Sequence, residues 1–299
     1  MSLIGEESIG ILSAKNGDVN YSGKIDSNSE KVKGIVHTGL GNTINSGDIK
    51  LTGNSNIGVY AAGGNLLENT NKIEVAKGTS TATAVGLYGK NQATVKNSGS
   101  IKMLESAIGI YGENSSIINA GSISNSGKNN NGIYAKDSNV TNSGFINLGD
   151  SSNGIYAISS SSKTITNSGN ITVGDSSNRN DPSMGIYAPN AGNVVHSGTI
   201  TTGARSLGIY SENGTVISSG GITTGDEGLA IYKKNGILNL SGNVTAGTLE
   251  IHQIHSSPIT VGTNGTLVLN PKAIVGYDID AFKLIENIDP QKITDSGIK

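Results

Sequence analysis

The feature that most constrains this chain is a repeat of about 24 residues that carries two interleaved signatures. The first is Gly, an aliphatic residue and usually Tyr. Its aliphatic slot is filled by Ile11, Ile35, Val59, Leu87, Ile110, Ile133, Ile155, Ile186, Ile209 and Ile231. The second, most often Asn-Ser-Gly-x-Ile, ends at Ile25, Ile49, Ile73, Ile101, Ile123, Ile146, Ile171, Ile200, Ile222 and Val244. A unit this short, with β-branched residues at fixed slots, has no room for paired helices or a propeller blade, but it fits one coil of a parallel β-helix. The expected fold is therefore all-β: a right-handed parallel β-helix with three short strands per coil and about ten regular coils, roughly 50 Å long at one strand spacing per coil. Those coils should occupy residues 1–246, with terminal coils or a cap and a frayed tail over 247–299. Within the latter, Asp278 to Ile285 reads as a further strand.

Parity assigns faces, because residues two apart on a strand share a side. In Ile57-Gly58-Val59-Tyr60-Ala61 it predicts Ile57, Val59 and Ala61 inward, with Gly58 and Tyr60 outward. In the second strand the Asn slot faces inward with the aliphatic two residues before it. Asn45, Asn69, Asn97, Asn119, Asn142 and Asn167 should then stack, each amide bonding to the next coil. The Gly two residues further on is replaced once, by Asn71, which suggests a left-handed backbone at that corner. On the third strand the outward slots alternate in sign. Lys24, Asp48 and Lys72 form one column, and Asp26, Lys50, Glu74 and Lys102 the next. A slipped register would place like charges together.

Charge and composition exclude several classes. Formal net charge is −2 and Arg179 and Arg205 are the only arginines, so the dense cationic face that nucleic acid or anionic lipid requires is missing. Neither is expected as a partner. With 0 Cys there is no disulfide, thiolate metal site or thiol nucleophile. No apolar run reaches the roughly 18 residues of a membrane-spanning helix, so no membrane insertion of this segment is expected. The opening residues Met1 to Glu6 lack the features of an export signal, which any exported form would have to carry elsewhere.

Units such as Gly132-Ile133-Tyr134-Ala135 followed by Asn142-Ser143-Gly144-Phe145-Ile146 resemble the passenger repeats of Gram-negative type V autotransporters, particularly the large adhesin-type ones. The resemblance covers roughly residues 5–246. It implies export, passage through the outer membrane by a C-terminal β-barrel translocator in the full-length chain, and display on the extracellular face of the cell surface. The stretch after residue 247 supplies no such barrel, so this sequence reads as a passenger segment.

Eight tyrosines, Tyr60, Tyr88, Tyr111, Tyr134, Tyr156, Tyr187, Tyr210 and Tyr232, share the outward slot of the first strand. They form a candidate rail for stacking sugars or gripping a protein. The bland alternative is that Tyr simply suits strands and covers the Gly beside it. A long turn between Ile171 and Ile186 adds Asn178, Arg179 and Asp181 as candidate contacts on an edge loop. Asp150, Asp175 and Asp226 recur at matching turn positions, which ordinary Gly-Asp turns explain, and neither metal nor cofactor is expected.

Three functional readings follow. The first is a non-catalytic, surface-displayed adhesin or rigid stalk that binds a host or bacterial cell-surface glycan or protein. The second is a pure spacer whose binding tip lies outside this segment. The third is a β-helical polysaccharide lyase or hydrolase, disfavoured because clustered unpaired acids on one face are absent from the strand patterns.

Overall fold

The computed structural model describes residues 1–80, 82–160, 162–177 and 182–246, together with the backbone of the strands Leu249–Gln253, Ile259–Val261, Leu267–Val268 and Gly276–Tyr277. Among the described residues every regular element is a strand, and the fold is the expected right-handed parallel β-helix with three sheets. The chain forms two compact units, Met1–Gly149 and Asp150–Lys299.

The first unit holds six coils. Its first strands are Ile9–Ser13, Lys33–His37, Ile57–Ala62, Ala84–Lys90, Ala107–Glu113 and Asn131–Lys136. Its second strands run from Val19–Tyr21 to Asn139–Asn142, and its third strands from Lys24–Ser27 to Phe145–Asn147. The second unit holds four regular coils, whose first strands are Asn153–Ile158, Met184–Tyr187, Leu207–Ser211 and Leu229–Lys233. Leu249–Gln253, Ile259–Val261 and Leu267–Val268 extend the three sheets by one more coil, and Gly276–Tyr277 adds to the first sheet. The expected strand from Asp278 to Ile285 and the tail lie outside the described residues.

Each slot pairs with its own copy in the next coil. Ile35, Val59, Leu87, Ile110 and Ile133 are successive Cα partners and are fully buried. Leu67, Val95 and Ile117 from the second strands and Ile73, Ile101 and Ile123 from the third meet them in the interior. Burial of each such side chain is worth about 1.5–3 kcal/mol, so a narrow core suffices when every coil contributes the same set.

At the corner between second and third strands the expected asparagine stack is present. The Nδ2 groups of Asn45, Asn69, Asn97 and Asn119 donate to the Oδ1 of Asn69, Asn97, Asn119 and Asn142 at 2.9, 2.9, 2.9 and 2.7 Å. Each of these amides also donates to the carbonyl two residues on, as in Asn45 to Gly47 at 2.9 Å. In the second unit Asn167 donates to His196 Nδ1 at 3.1 Å, while His196 Nε2 donates to the Gly221 carbonyl at 3.2 Å. Burial holds the His196 pKa below its usual value, so the imidazole is neutral and takes the Asn role of accepting from one coil and donating to the next.

Both glycine columns have a different cause from the expected one. The corner glycines beyond the Asn slot do not adopt positive φ. They are there because the coils approach too closely for a side chain: a Cβ on Gly47, Gly121 or Gly144 would lie 2.0–2.1 Å from the carbonyl oxygen of the preceding coil's glycine. The glycines of the first strand face inward, not outward. A Cβ on Gly58, Gly86 or Gly109 would meet the γ2 methyl of Ile73, Ile101 or Ile123 at 2.6–2.7 Å. Simple alternation therefore fails at this point, since both Gly58 and Val59 point into the core. The left-handed residues sit in the turns instead, at Lys31, Ser55, Ser106, Ser151, Arg205 and Glu227 before first strands, and at Asn91, Asn114 and Asp137 after them.

The charged columns fall where the pattern predicts, with Lys24 beside Asp48 and Asp26 beside Lys50, which in turn lies beside Glu74. The ion pairs formed are lateral, Lys24 to Asp26 at 3.1 Å and Lys72 to Glu74 at 3.2 Å. Exposed pairs of this kind contribute only about 0–1 kcal/mol, so they select register more than they stabilise it.

The glycine geometry yields a direct test. Gly121→Ala should destabilise the first unit by about 1–3 kcal/mol or more, because its Cβ collides with backbone that cannot move without separating two coils. Chemical denaturation of this variant beside Ser122→Ala, on the exposed side of the neighbouring strand, measures the difference.

Candidate functional site

The first sheet's outer face carries the tyrosines. In the first unit Tyr60, Tyr88, Tyr111 and Tyr134 are successive Cα partners, continuing a column begun by Leu12 and Val36. In the second unit Tyr156, Tyr187, Tyr210 and Tyr232 do the same. In-register stacking brings the rings into contact. Centroids of the pairs Tyr60–Tyr88, Tyr88–Tyr111 and Tyr111–Tyr134 lie 5.0, 4.5 and 5.2 Å apart, with interplanar angles of 73°, 53° and 15°. In the second unit the separations are 4.7, 5.1 and 4.6 Å and the angles 15°, 24° and 6°. In the stacked pairs the rings thus lie against one another's faces, whereas Tyr60 meets Tyr88 edge-on and Tyr88 is tilted against Tyr111. Each contact adds about 0.5–1.5 kcal/mol beyond area burial, so the column stabilises the coil stack as well as decorating it.

Two flanking columns complete this face. The slot before the inward glycine holds Lys33, Ile57, Val85, Ile108 and Asn131 in the first unit. In the second it holds Asn153, Met184, Leu207 and Leu229. Parity placed Ile57 in the core, but the break at the glycine turns this slot outward, where Lys33 and Asn131 are tolerated. Leu207, Leu229 and Tyr232 pack into a cluster with Met184 and Tyr210 against it, which leaves Tyr232 only 8% exposed. On the other flank, two residues after each Tyr, the partners Ala62, Lys90, Glu113 and Lys136 form a rim. Glu113 sits between Lys136 at 3.1 Å and Lys90 at 3.6 Å, and its bond to Lys136 lowers its pKa. In the second unit Tyr210 donates its hydroxyl to Glu212 at 2.6 Å, and Lys234 lies 3.9 Å from the same carboxylate. Neither flank was singled out from the sequence. The rim was visible there as Lys90, Glu113 and Lys136 at constant offset from Tyr.

The remaining candidates divide between bound and undescribed. Asn178, Arg179 and Asp181 lie outside the described residues. Arg205 Nε donates to the Ser176 carbonyl at 2.7 Å, fixing the start of that loop. The turn aspartates are engaged by backbone: Asp150 Oδ1 accepts from Asp175 N at 3.0 Å, and Asp175 Oδ1 from Ala204 N at 2.8 Å. They therefore act as a second ladder from coil to coil. Among the described residues, no three His, Asp or Glu side chains are gathered in a way that could hold a metal ion. No protein-family model, no curated protein and no solved structure matches this chain.

Packing shifts the tyrosines' ionisation. Burial raises the pKa values of Tyr88 and Tyr187, and burial together with Tyr88 and Glu113 pushes Tyr111 up to about 12. In the unfolded chain a tyrosine ionises near 10. A group raised by folding gives stability that is complete below the unfolded value and is lost as pH climbs toward the folded one. Stability should therefore fall between pH about 10 and about 12. Denaturation midpoints across that range, followed together with phenolate absorbance, should show Tyr88, Tyr111 and Tyr187 ionising late and the midpoint dropping over the same interval.

Proposed function

We propose that this chain is a non-catalytic, surface-displayed stalk segment of an exported autotransporter passenger, which contacts a host or bacterial cell-surface glycan or protein through the outer face of its first sheet. The observation that carries this reading is the outer face itself. Each unit presents a column of tyrosine rings flanked by an aliphatic column and a charged rim. Such a strip offers rigid aromatic rings and hydrogen-bonding groups of the kind that protein and sugar ligands use, over an aliphatic column that is largely buried. Repetition adds avidity, because the same weak contact recurs at each coil.

The repeat's resemblance to passenger repeats supports the exported setting, with a β-barrel translocator following in the full-length chain. A non-catalytic role is supported by the state of the acids. Glu113 is held by two lysines, Glu68 by Lys96 at 2.9 Å, and Asp150 and Asp175 by backbone N–H groups. A glycosidase needs a pair of carboxyls left to act as acid and nucleophile or base.

The spacer reading has one observation in its favour: the rings spend their faces on one another, which is what a purely structural ladder would do. A triple variant Tyr88→Ser, Tyr111→Ser, Tyr134→Ser separates the two. With the β-sheet spectrum retained, binding to cells and to a glycan array should weaken by about tenfold or more if the face is a contact surface. Unchanged binding removes the tyrosine face as the contact surface, and an unmodified chain that binds nothing leaves the spacer role.

A further inference from the structure

The ladder of the second unit has a chemical property that a merely adhesive or structural column does not require. Tyr210 and Tyr232 lie with ring centroids 4.6 Å apart and planes within 6°, the most parallel pair in the unit, and Tyr187 stacks on Tyr210 at 5.1 Å and 24°. Equivalent ring carbons of neighbouring coils therefore face each other. The Tyr210 hydroxyl donates to Glu212 Oε1 at 2.6 Å, a short bond that already points the phenolic proton at a carboxylate. The chain holds 0 Cys and 0 Trp, so its tyrosines are the side chains on which a one-electron oxidation comes to rest.

We propose that this ladder is a site of oxidative cross-linking, in which Tyr210 and Tyr232 couple ring to ring into a dityrosine. The oxidant class is a hydroperoxide acting through a one-electron haem peroxidase. The peroxidase takes one electron from each ring. Glu212 accepts the phenolic proton of Tyr210, and the proton lost by Tyr232 ends in bulk water once the ring is oxidised. The two tyrosyl radicals then form a carbon–carbon bond between positions ortho to the hydroxyls. The hydrogens on those carbons shift to the oxygens and restore both phenols. In sum, one hydrogen peroxide and two tyrosines give one dityrosine and two waters.

The product is a covalent staple between adjacent coils of a chain that has no thiols. It joins residues 210 and 232, partners across one strand pairing, and closes a loop in the unfolded chain as a disulfide would. Unlike a disulfide it cannot be undone by reductants, which suits a segment that folds first and meets oxidants afterwards.

The test uses the full chain, dilute, with a haem peroxidase and limiting hydrogen peroxide. The expected product is a monomer with dityrosine fluorescence, lighter by two hydrogens. Cleavage after Glu212 and Glu227 separates the two tyrosines, so the peptide ending at Glu212 should be found joined to the one beginning at Gly228. Tyr210→Phe, which keeps the ring and its stacking, should abolish that joined pair. Glu212→Gln, in which the upstream peptide runs on to Glu227 and is still separated from the one beginning at Gly228, should slow formation of the joined pair by about tenfold or more while near-UV circular dichroism shows the ladder intact. The stapled monomer should unfold at higher denaturant concentration than the untreated chain. Cross-links found only between separate molecules would overturn the proposal. So would a joined pair that forms as fast in Glu212→Gln as in the wild type, or that survives Tyr210→Phe.

Discussion

The close approach of successive coils governs this structure. A β-helix spaces its coils by the distance between hydrogen-bonded strands, about 4.8 Å. Whatever occupies a slot must therefore fit against a copy of itself. At the second corner the available room falls below a methyl group, so Gly47, Gly121 and Gly144 stand in column. Inside the first strand the same crowding against the isoleucines of the third sheet fixes Gly58, Gly86 and Gly109. Where there is room, the column takes whatever side chain profits from meeting itself. Isoleucine does so by dispersion, asparagine by offering a donor and an acceptor at once, and tyrosine by stacking.

That principle also explains the polar interior. A buried amide with nothing to bond to costs more than it gives, yet Asn45, Asn69, Asn97 and Asn119 each donate both N–H groups, one up the column and one to their own corner. The column is directional, so its ends are special. At the start, Tyr21 pairs with Asn45 and the Asn45 Oδ1 has no donor. In the second unit His196 continues the ladder because one tautomer of neutral imidazole accepts on one nitrogen and donates on the other. The outer first-sheet face follows the same logic with weaker constraints: aliphatic, aromatic and charged columns run side by side, and each is free to vary where it does not touch itself.

Much of this was legible in the sequence, for a physical reason. A stack of identical coils turns periodicity in the sequence into columns in space, so the tyrosine slot, the asparagine slot and the alternating Lys24, Asp48 and Asp26, Lys50 columns could be read directly. Two features could not. Parity assumes an unbroken pleat, and the backbone at Gly58 breaks it, sending Gly58 inward and Ile57 outward, so the aliphatic flank of the tyrosine face was hidden among expected core residues. Likewise, a recurring glycine has two causes, left-handed backbone and lack of space, and composition alone does not separate them. The ring orientations were also beyond reach, since a column of Tyr predicts proximity but not that the rings would lie against each other.

The central claim is that equivalent slots of successive coils are in contact. Methyl-labelled, otherwise deuterated protein offers the most direct measurement. Nuclear Overhauser contacts should link Val95 to Ile117 and Ile101 to Ile123, residues adjacent across strand pairings though far apart in the chain. A further contact should link Ile117 to Val140. If those contacts are missing, or instead join residues displaced by two positions, the coils do not stack in this register and the account fails.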